Sequence, residues 1–182
     1  VGEEELKADR YAEGKFQDMV KKVIKGFKKE IEKKSLNFKY DYSNNLPLSI
    51  LCNRDSLEHI LTNLLSNAVK FTGKGGSITI KAEMTKHNPY GLKNADKKDN
   101  DSFLNISISD TGIGIKPEDQ QKIFQKDFWQ ADASSTREYE GSGLGLIITK
   151  KLVEEMNGTV WFYSKVDEGS TFGFVIPVEI PE

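Results

Sequence analysis

The chain has 182 residues, 37% of them hydrophobic; this suffices for one domain with a buried core, and no apolar run approaches the ~20 residues that cross a bilayer. Its 26 basic and 28 acidic side chains nearly cancel, so a formal charge of -2 provides no general attraction to nucleic acid or to an acidic membrane. The single cysteine, Cys52, excludes an internal disulfide and suits a reducing, cytoplasmic setting, while Val1-Gly2-Glu3-Glu4 is no signal peptide and suggests a piece of a longer protein that is itself free to be membrane-bound.

In chain order, Phe16, Val20, Val23, Ile24, Phe27 and Ile31 recur at helical spacing and predict one helix over residues 16–34, with Lys21, Lys22, Lys25, Lys28, Lys29 and Lys33 on a solvated face. Two short strands, 37–42 and 49–52, follow around the turn Ser43-Asn44-Asn45-Leu46-Pro47. Asp55 or Ser56 would cap a second helix that ends near Phe71 and is stopped by Gly73-Lys74-Gly75-Gly76. Residues 77–85 alternate as a strand, and residues 86–102, polar and aperiodic, read as an exposed hairpin insertion. Residues 103–109 alternate again, and a short helix over 117–125 opens on Pro117. Phe124, Phe128 and Trp129 read as packing anchors, and 131–140 as a flexible cover. A last helix runs to Met156, closed by Asn157-Gly158, before strands 159–166 and 171–178.

Three stretches carry residues that packing alone does not require. Asp110 ends the strand 103–109 and is followed by Gly112, Gly114 and Ile115; this is either an ordinary turn or a carboxylate acceptor at a pocket floor, with glycines where a flat ligand needs room. Asn63 and Asn67 lie four apart on one helix face, with Lys70 one turn further on. The two amides either cap backbone and meet water, or offer hard neutral oxygens to Mg2+ while the lysine meets phosphate. Finally, Gly141, Gly143 and Gly145 alternate with Ser142 and Leu144 just before a helix, either as a simple loop or as a cradle turning backbone N–H groups toward an anion.

In their order these motifs resemble the ATP-binding catalytic domain of sensor histidine kinases, in the superfamily of gyrase, heat-shock chaperone and MutL ATPases. The resemblance rests on Asn63-Leu64-Leu65-Ser66-Asn67-Ala68-Val69-Lys70-Phe71, Asp110-Thr111-Gly112-Ile113-Gly114, Phe124 to Phe128, Gly141-Ser142-Gly143-Leu144-Gly145 and Gly169-Ser170-Thr171, and covers nearly the whole chain. The segment from Gln130 to Arg137 is most similar to that of hybrid kinases.

The resemblance implies an α+β fold, a two-layer α/β sandwich of the Bergerat type, with a mixed sheet of about five strands covered on one face by three helices and an ATP lid over 116–141. Asp110 would accept a hydrogen bond from the adenine amino group with Thr171 nearby through water, and Phe71, Gly112, Gly114 and Ile115 would belong to the same nucleotide site. Asn67 would bind Mg2+, Asn63 would lie near the phosphates, and Lys70 would contact them. Gly141, Ser142, Gly143, Leu144 and Gly145 would receive the phosphates, with Arg137 a candidate γ-phosphate contact. The implied activity is transfer of the γ-phosphoryl group of Mg-ATP to a histidine on a separate dimerisation hairpin, passed on to a receiver domain. His59 and His87 do not fit the acceptor, so the isolated chain is expected to be a monomer that scarcely phosphorylates itself. Other readings are a nucleotide-sensing module without transferase activity and an ATP-hydrolysing clamp; the clamp needs a general-base glutamate where this chain has Asn63.

Overall fold

The computed structural model describes residues 16–47, 49–87, 102–124 and 145–180. The chain enters through α1 (Phe16–Lys25) and α2 (Lys28–Lys34), two helices where the periodicity predicts one. The break falls at Gly26, whose N–H donates to Val23 O (3.1 Å), and at Phe27, whose N–H donates to Ile24 O (2.9 Å). Both bonds reach back three residues, the tighter turn that glycine, a poor helix former, concedes.

Strand β1 (Asn37–Tyr42) follows as expected. Where a strand is predicted at 49–52 the chain forms isolated bridges, among them Leu51 to Glu179, with Leu51 N–H donating to Glu179 O at 2.7 Å. Helix α3 (Arg54–Phe71) is capped by Asn53, whose Oδ1 accepts the Ser56 N–H at 3.1 Å, so neither Asp55 nor Ser56 is the cap. Asp55 lies in the first turn, where its charge complements the helix dipole. Strands β2 (Ser77–Thr85) and β3 (Ser102–Asp110) flank the insertion, of which residues 88–101 lie outside the described residues.

The short helix α4 (Pro117–Gln120) ends sooner than the predicted 125 and continues as a turn through Phe124. Phe124 does pack as an anchor, edge-on to Phe162 with ring centroids 6.0 Å apart. Phe128, Trp129 and most of the lid fall outside the described residues. Helix α5 (Gly145–Glu155) leads into β4 (Thr159–Lys165) and β5 (Gly169–Val178).

The five strands form one mixed sheet in the order β1-β2-β3-β5-β4, with β1 parallel to β2 and the remaining pairs antiparallel. Ile78, Ile80 and Ala82 of β2, Leu104, Ile106 and Ile108 of β3, and Phe174 and Ile176 of β5 share one face and are buried. Against them pack Phe16, Val20 and Val23 of α1, Leu146 and Val153 of α5, and the whole apolar stripe of α3. The predicted α+β sandwich is therefore the one observed. Among the described residues no helix is long and apolar enough to cross a membrane.

The core also sets the site. Leu57, Ile60, Leu61, Leu64, Leu65, Ala68 and Val69 are buried on α3. Each large side chain among them is worth about 1.5–3 kcal/mol relative to exposure, so their stripe fixes the rotation of α3 about its axis. Asn63, Asn67 and Lys70 are thereby held half-buried along its border.

Candidate functional site

Asp110 is the last residue of β3, in register with Ile78 on one side and Ser170 on the other. Its side chain alternates onto the helix-covered face with Ile106 and Ile108. Oδ1 accepts two backbone N–H groups, from Gly112 at 2.9 Å and from Ser170 at 3.2 Å. Among the described residues Oδ2 has no hydrogen-bond partner, so one oxygen anchors the carboxylate and the other remains an acceptor. Burial pushes the carboxyl pKa up, and the two N–H bonds oppose that shift.

The loop after Asp110 is fastened on both sides. Gly112 passes so close to the Phe71 carbonyl that a Cβ there would overlap it. Thr111 Oγ1 accepts the Ser77 N–H at 3.0 Å. Ile115 N–H donates to Ser164 Oγ (2.8 Å), and Gln120 Nε2 bridges Ile115 O (2.9 Å) and Ser164 O (3.1 Å). Gly114, with φ +72°, passes against the Lys165 carbonyl. The acidic strand end is thus tied to the end of α3 and to the β4–β5 hairpin.

The hydroxyl on Asp110's side of the sheet belongs to Ser170, not to Thr171. Thr171 pairs with Ser109 on the opposite face, where the two hydroxyl oxygens lie 2.8 Å apart. Ser170 Oγ instead lies 2.7 Å from Ser164 Oγ. Both rows of β5 carry apolar residues, Phe172 and Phe174 in one and Val175 in the other, so alternation could not tell which row faces the helices. The strand register decides it.

At the other end of the site, Asn63 meets the start of α5. Its Nδ2 donates to Gly145 O and to Thr149 Oγ1, each at 3.4 Å. The position of a Cβ on Gly145 would be 3.9 Å from Asn63 Cβ, ordinary van der Waals contact. The first turn of α5, whose N–H groups have no partner within the helix and which carries the positive dipole end, therefore abuts the amide face of α3. Phe71 lies eight residues beyond Asn63 on α3, about 12 Å along the axis. Lys70 lies in that interval with Nζ 5.8 Å from the Phe71 ring centre.

Two participants escape sequence reading. Lys34 Nζ donates to Val69 O (2.8 Å), Lys70 O (3.0 Å) and Thr72 O (3.1 Å), holding the C-terminal carbonyls of α3, and no pattern distinguishes it from the other lysines of α1 and α2. Thr149 is a hydroxyl inside the buried stripe Leu146, Thr149, Val153 of α5, a polar intrusion that could have been flagged. Arg137, Gly141, Ser142, Gly143 and Leu144 lie outside the described residues, and Gly145 is the first described residue of the glycine-led helix. His59 and His87 are both exposed.

A one-sided mixed sandwich with a carboxylate at a strand end, paired helix amides and an abutting helix start defines a class of domain that includes ATPases and protein kinases. Residues 52–180 match the family described as histidine kinase-, DNA gyrase B-, and HSP90-like ATPase, and the chain belongs to that family. It is 40% identical over 147 residues to the signal transduction histidine-protein kinase BarA of Escherichia coli, covering 81% of this chain and 15% of that protein. It is 42% identical over 143 residues to the autoinducer 2 sensor kinase/phosphatase LuxQ of Vibrio vulnificus, covering 77% and 15%. The chain thus spans about 15% of the length of these curated relatives. Its fold is similar to that of full-length ShkA in complex with AMPPNP, with a TM-score of 0.70 and 27% identity over 92% of this chain and 31% of that one. It is similar also to the catalytic domain of histidine kinase ThkA, with a TM-score of 0.69 and 26% identity over 92% and 97%.

Proposed function

We propose that this chain is a histidine-kinase catalytic domain that binds Mg-ATP and transfers its γ-phosphoryl group to a histidine on a separate dimerisation hairpin, within two-component or phosphorelay signalling. In that transfer an imidazole nitrogen attacks Pγ, the bond from Pγ to the β,γ-bridging oxygen breaks, and ADP leaves. The observation that carries the proposal is that one helix joins both ends of the site: Phe71 of α3 meets Gly112 beside Asp110, and Asn63 of α3 meets Gly145 of α5. The intervening helix is of a length a nucleoside triphosphate can follow, purine at the acid and phosphates at the helix start.

Asp110 Oδ2 would accept from the adenine amino group, with Ser170 the nearby hydroxyl, and Phe71, Gly112, Gly114 and Ile115 would shape the purine end. Asn63, Asn67 and Lys70 would face the phosphates. Gly141, Ser142, Gly143, Leu144 and Gly145 would receive them through backbone N–H groups, with Arg137 reaching the γ-phosphate.

The donor set suits Mg2+. Among the described residues there is no cluster of three or more His, Cys, Asp or Glu. Magnesium commonly takes only one or two protein oxygens and completes its shell with phosphates and water, so the Asn67 amide oxygen suffices. When bound it would neutralise phosphate charge. Hydrolysis is disfavoured because Asn63 supplies no general base and its amide nitrogen is turned toward α5.

Titration calorimetry with AMPPNP and Mg2+ tests the reading. Saturable binding by the parent chain is expected, and Asp110→Asn should weaken it at least tenfold with an unchanged circular dichroism spectrum. Unchanged affinity would remove purine recognition from Asp110.

A further inference from the structure

Thr149 places a hydroxyl at 1% exposure within the apolar stripe of α5. A buried hydroxyl must find a partner, and this one donates its single hydrogen to Gly145 O, four residues earlier, at 2.6 Å. The consequence falls on Asn63. Both groups of α5 that face its amide are now acceptors only: the carbonyl oxygen of Gly145, and the oxygen of Thr149 with its hydrogen already committed. Each lies 3.4 Å from Asn63 Nδ2. An amide has one donor end and one acceptor end, and two facing acceptors admit only the donor end. Oδ1 is thereby turned away from α5, and among the described residues it has no hydrogen-bond partner.

We propose that Thr149 is a positioning residue that locks the polarity of the Asn63 amide, so that Asn63 presents its carbonyl oxygen, rather than its NH2 group, to whatever occupies the phosphate end of the site. The lock belongs to the ligand-free chain. Its use rests on the nucleotide reading: an outward oxygen serves a phosphate-bound Mg2+ or a water on it, whereas an outward NH2 would serve bare phosphate oxygens. The same geometry explains why a carboxylate is unsuited to this position, since Asn63→Asp would set a negative charge against two acceptor oxygens.

Two measurements separate the lock from its use. In the 15N-labelled, ligand-free chain, hydrogen exchange of the Asn63 side-chain NH2 should be slow. Thr149→Val, which keeps the shape and deletes the hydroxyl, should accelerate it at least fivefold, and Thr149→Ser should restore it. In calorimetry, Thr149→Val should lose at least fivefold of the affinity gain that Mg2+ confers on AMPPNP, with metal-free ADP affinity held within twofold, and Thr149→Ser should recover that gain. Should Thr149→Val fail to fold by near-ultraviolet circular dichroism, Thr149→Ala carries the same comparisons.

Unchanged exchange in the hydroxyl-less variant, or equal loss of metal-free and metal-dependent affinity, overturns the proposal. If the parent chain binds no nucleotide, the functional reading fails while the exchange experiment still decides the lock.

Discussion

At Asp110 two effects oppose each other. Burial disfavours the charged carboxylate, while the Gly112 and Ser170 N–H groups favour it, and burial is the larger. A carboxyl whose native pKa is raised binds its proton more tightly in the folded chain than in the unfolded one. The parent chain should therefore gain stability as pH falls through the native pKa toward the ordinary carboxyl value, and carry the cost of a desolvated charge at pH 7. Ligand-free Asp110→Asn should be at least as stable as the parent at pH 7 in urea melts, with the difference shrinking by pH 4. A clear loss of stability at pH 7 would show that the two backbone bonds outweigh burial. Stability sacrificed at a residue that then improves ligand recognition is the pattern expected of a binding group. Cys52 is the contrasting case. Its thiol is buried and pushed up to about 11, which keeps it protonated and out of the chemistry.

At the scale of elements, α3 is held at both ends by side chains that periodicity does not announce. Asn53 caps its start, and Lys34 gathers three carbonyls at its end. Bonds from a charged donor to partly buried acceptors are worth about 1.5–3 kcal/mol. Lys34→Met, which keeps the stem and removes the charge, should cost about 2 kcal/mol and lower the thermal midpoint by roughly 4–8 °C, measured by calorimetric melting. Asn53→Ala should cost about 1 kcal/mol. The existence and extent of α3 were legible because seven buried residues repeat at helical spacing. Its cap was not, because Asn53, Asp55 and Ser56 are all competent caps and only the geometry of chain entry selects one. The break at Gly26 went unread for a related reason: Ile24, Phe27 and Ile31 keep the helical period across it, although the backbone does not.

At the scale of the whole molecule, the proposed reaction turns on where its acceptor histidine lies. His59, on α3, and His87, at the start of the insertion between β2 and β3, are both exposed, and neither lies on a helical hairpin. Incubated with labelled ATP, the chain alone should take up little stable phosphate. Addition of a dimerisation hairpin from its parent protein should produce acid-labile, base-stable phosphate on the hairpin. Stable labelling of the lone chain on either histidine would overturn the division of labour, and steady phosphate release without the hairpin would favour a hydrolytic clamp.

The sequence by itself determined the alternation of strands and helices, the five ordered motifs and hence the family, because hydrophobic period and glycine spacing are local properties of the chain. Tertiary structure alone decided which hydroxyl accompanies Asp110, since Ser170 and Thr171 are adjacent and only pairing with β3 assigns their faces. It likewise decided which end of the Asn63 amide points outward, because that depends on two acceptors 82 and 86 residues further along the chain. Contacts between distant elements carry no local period, so no reading of neighbours in sequence can supply them.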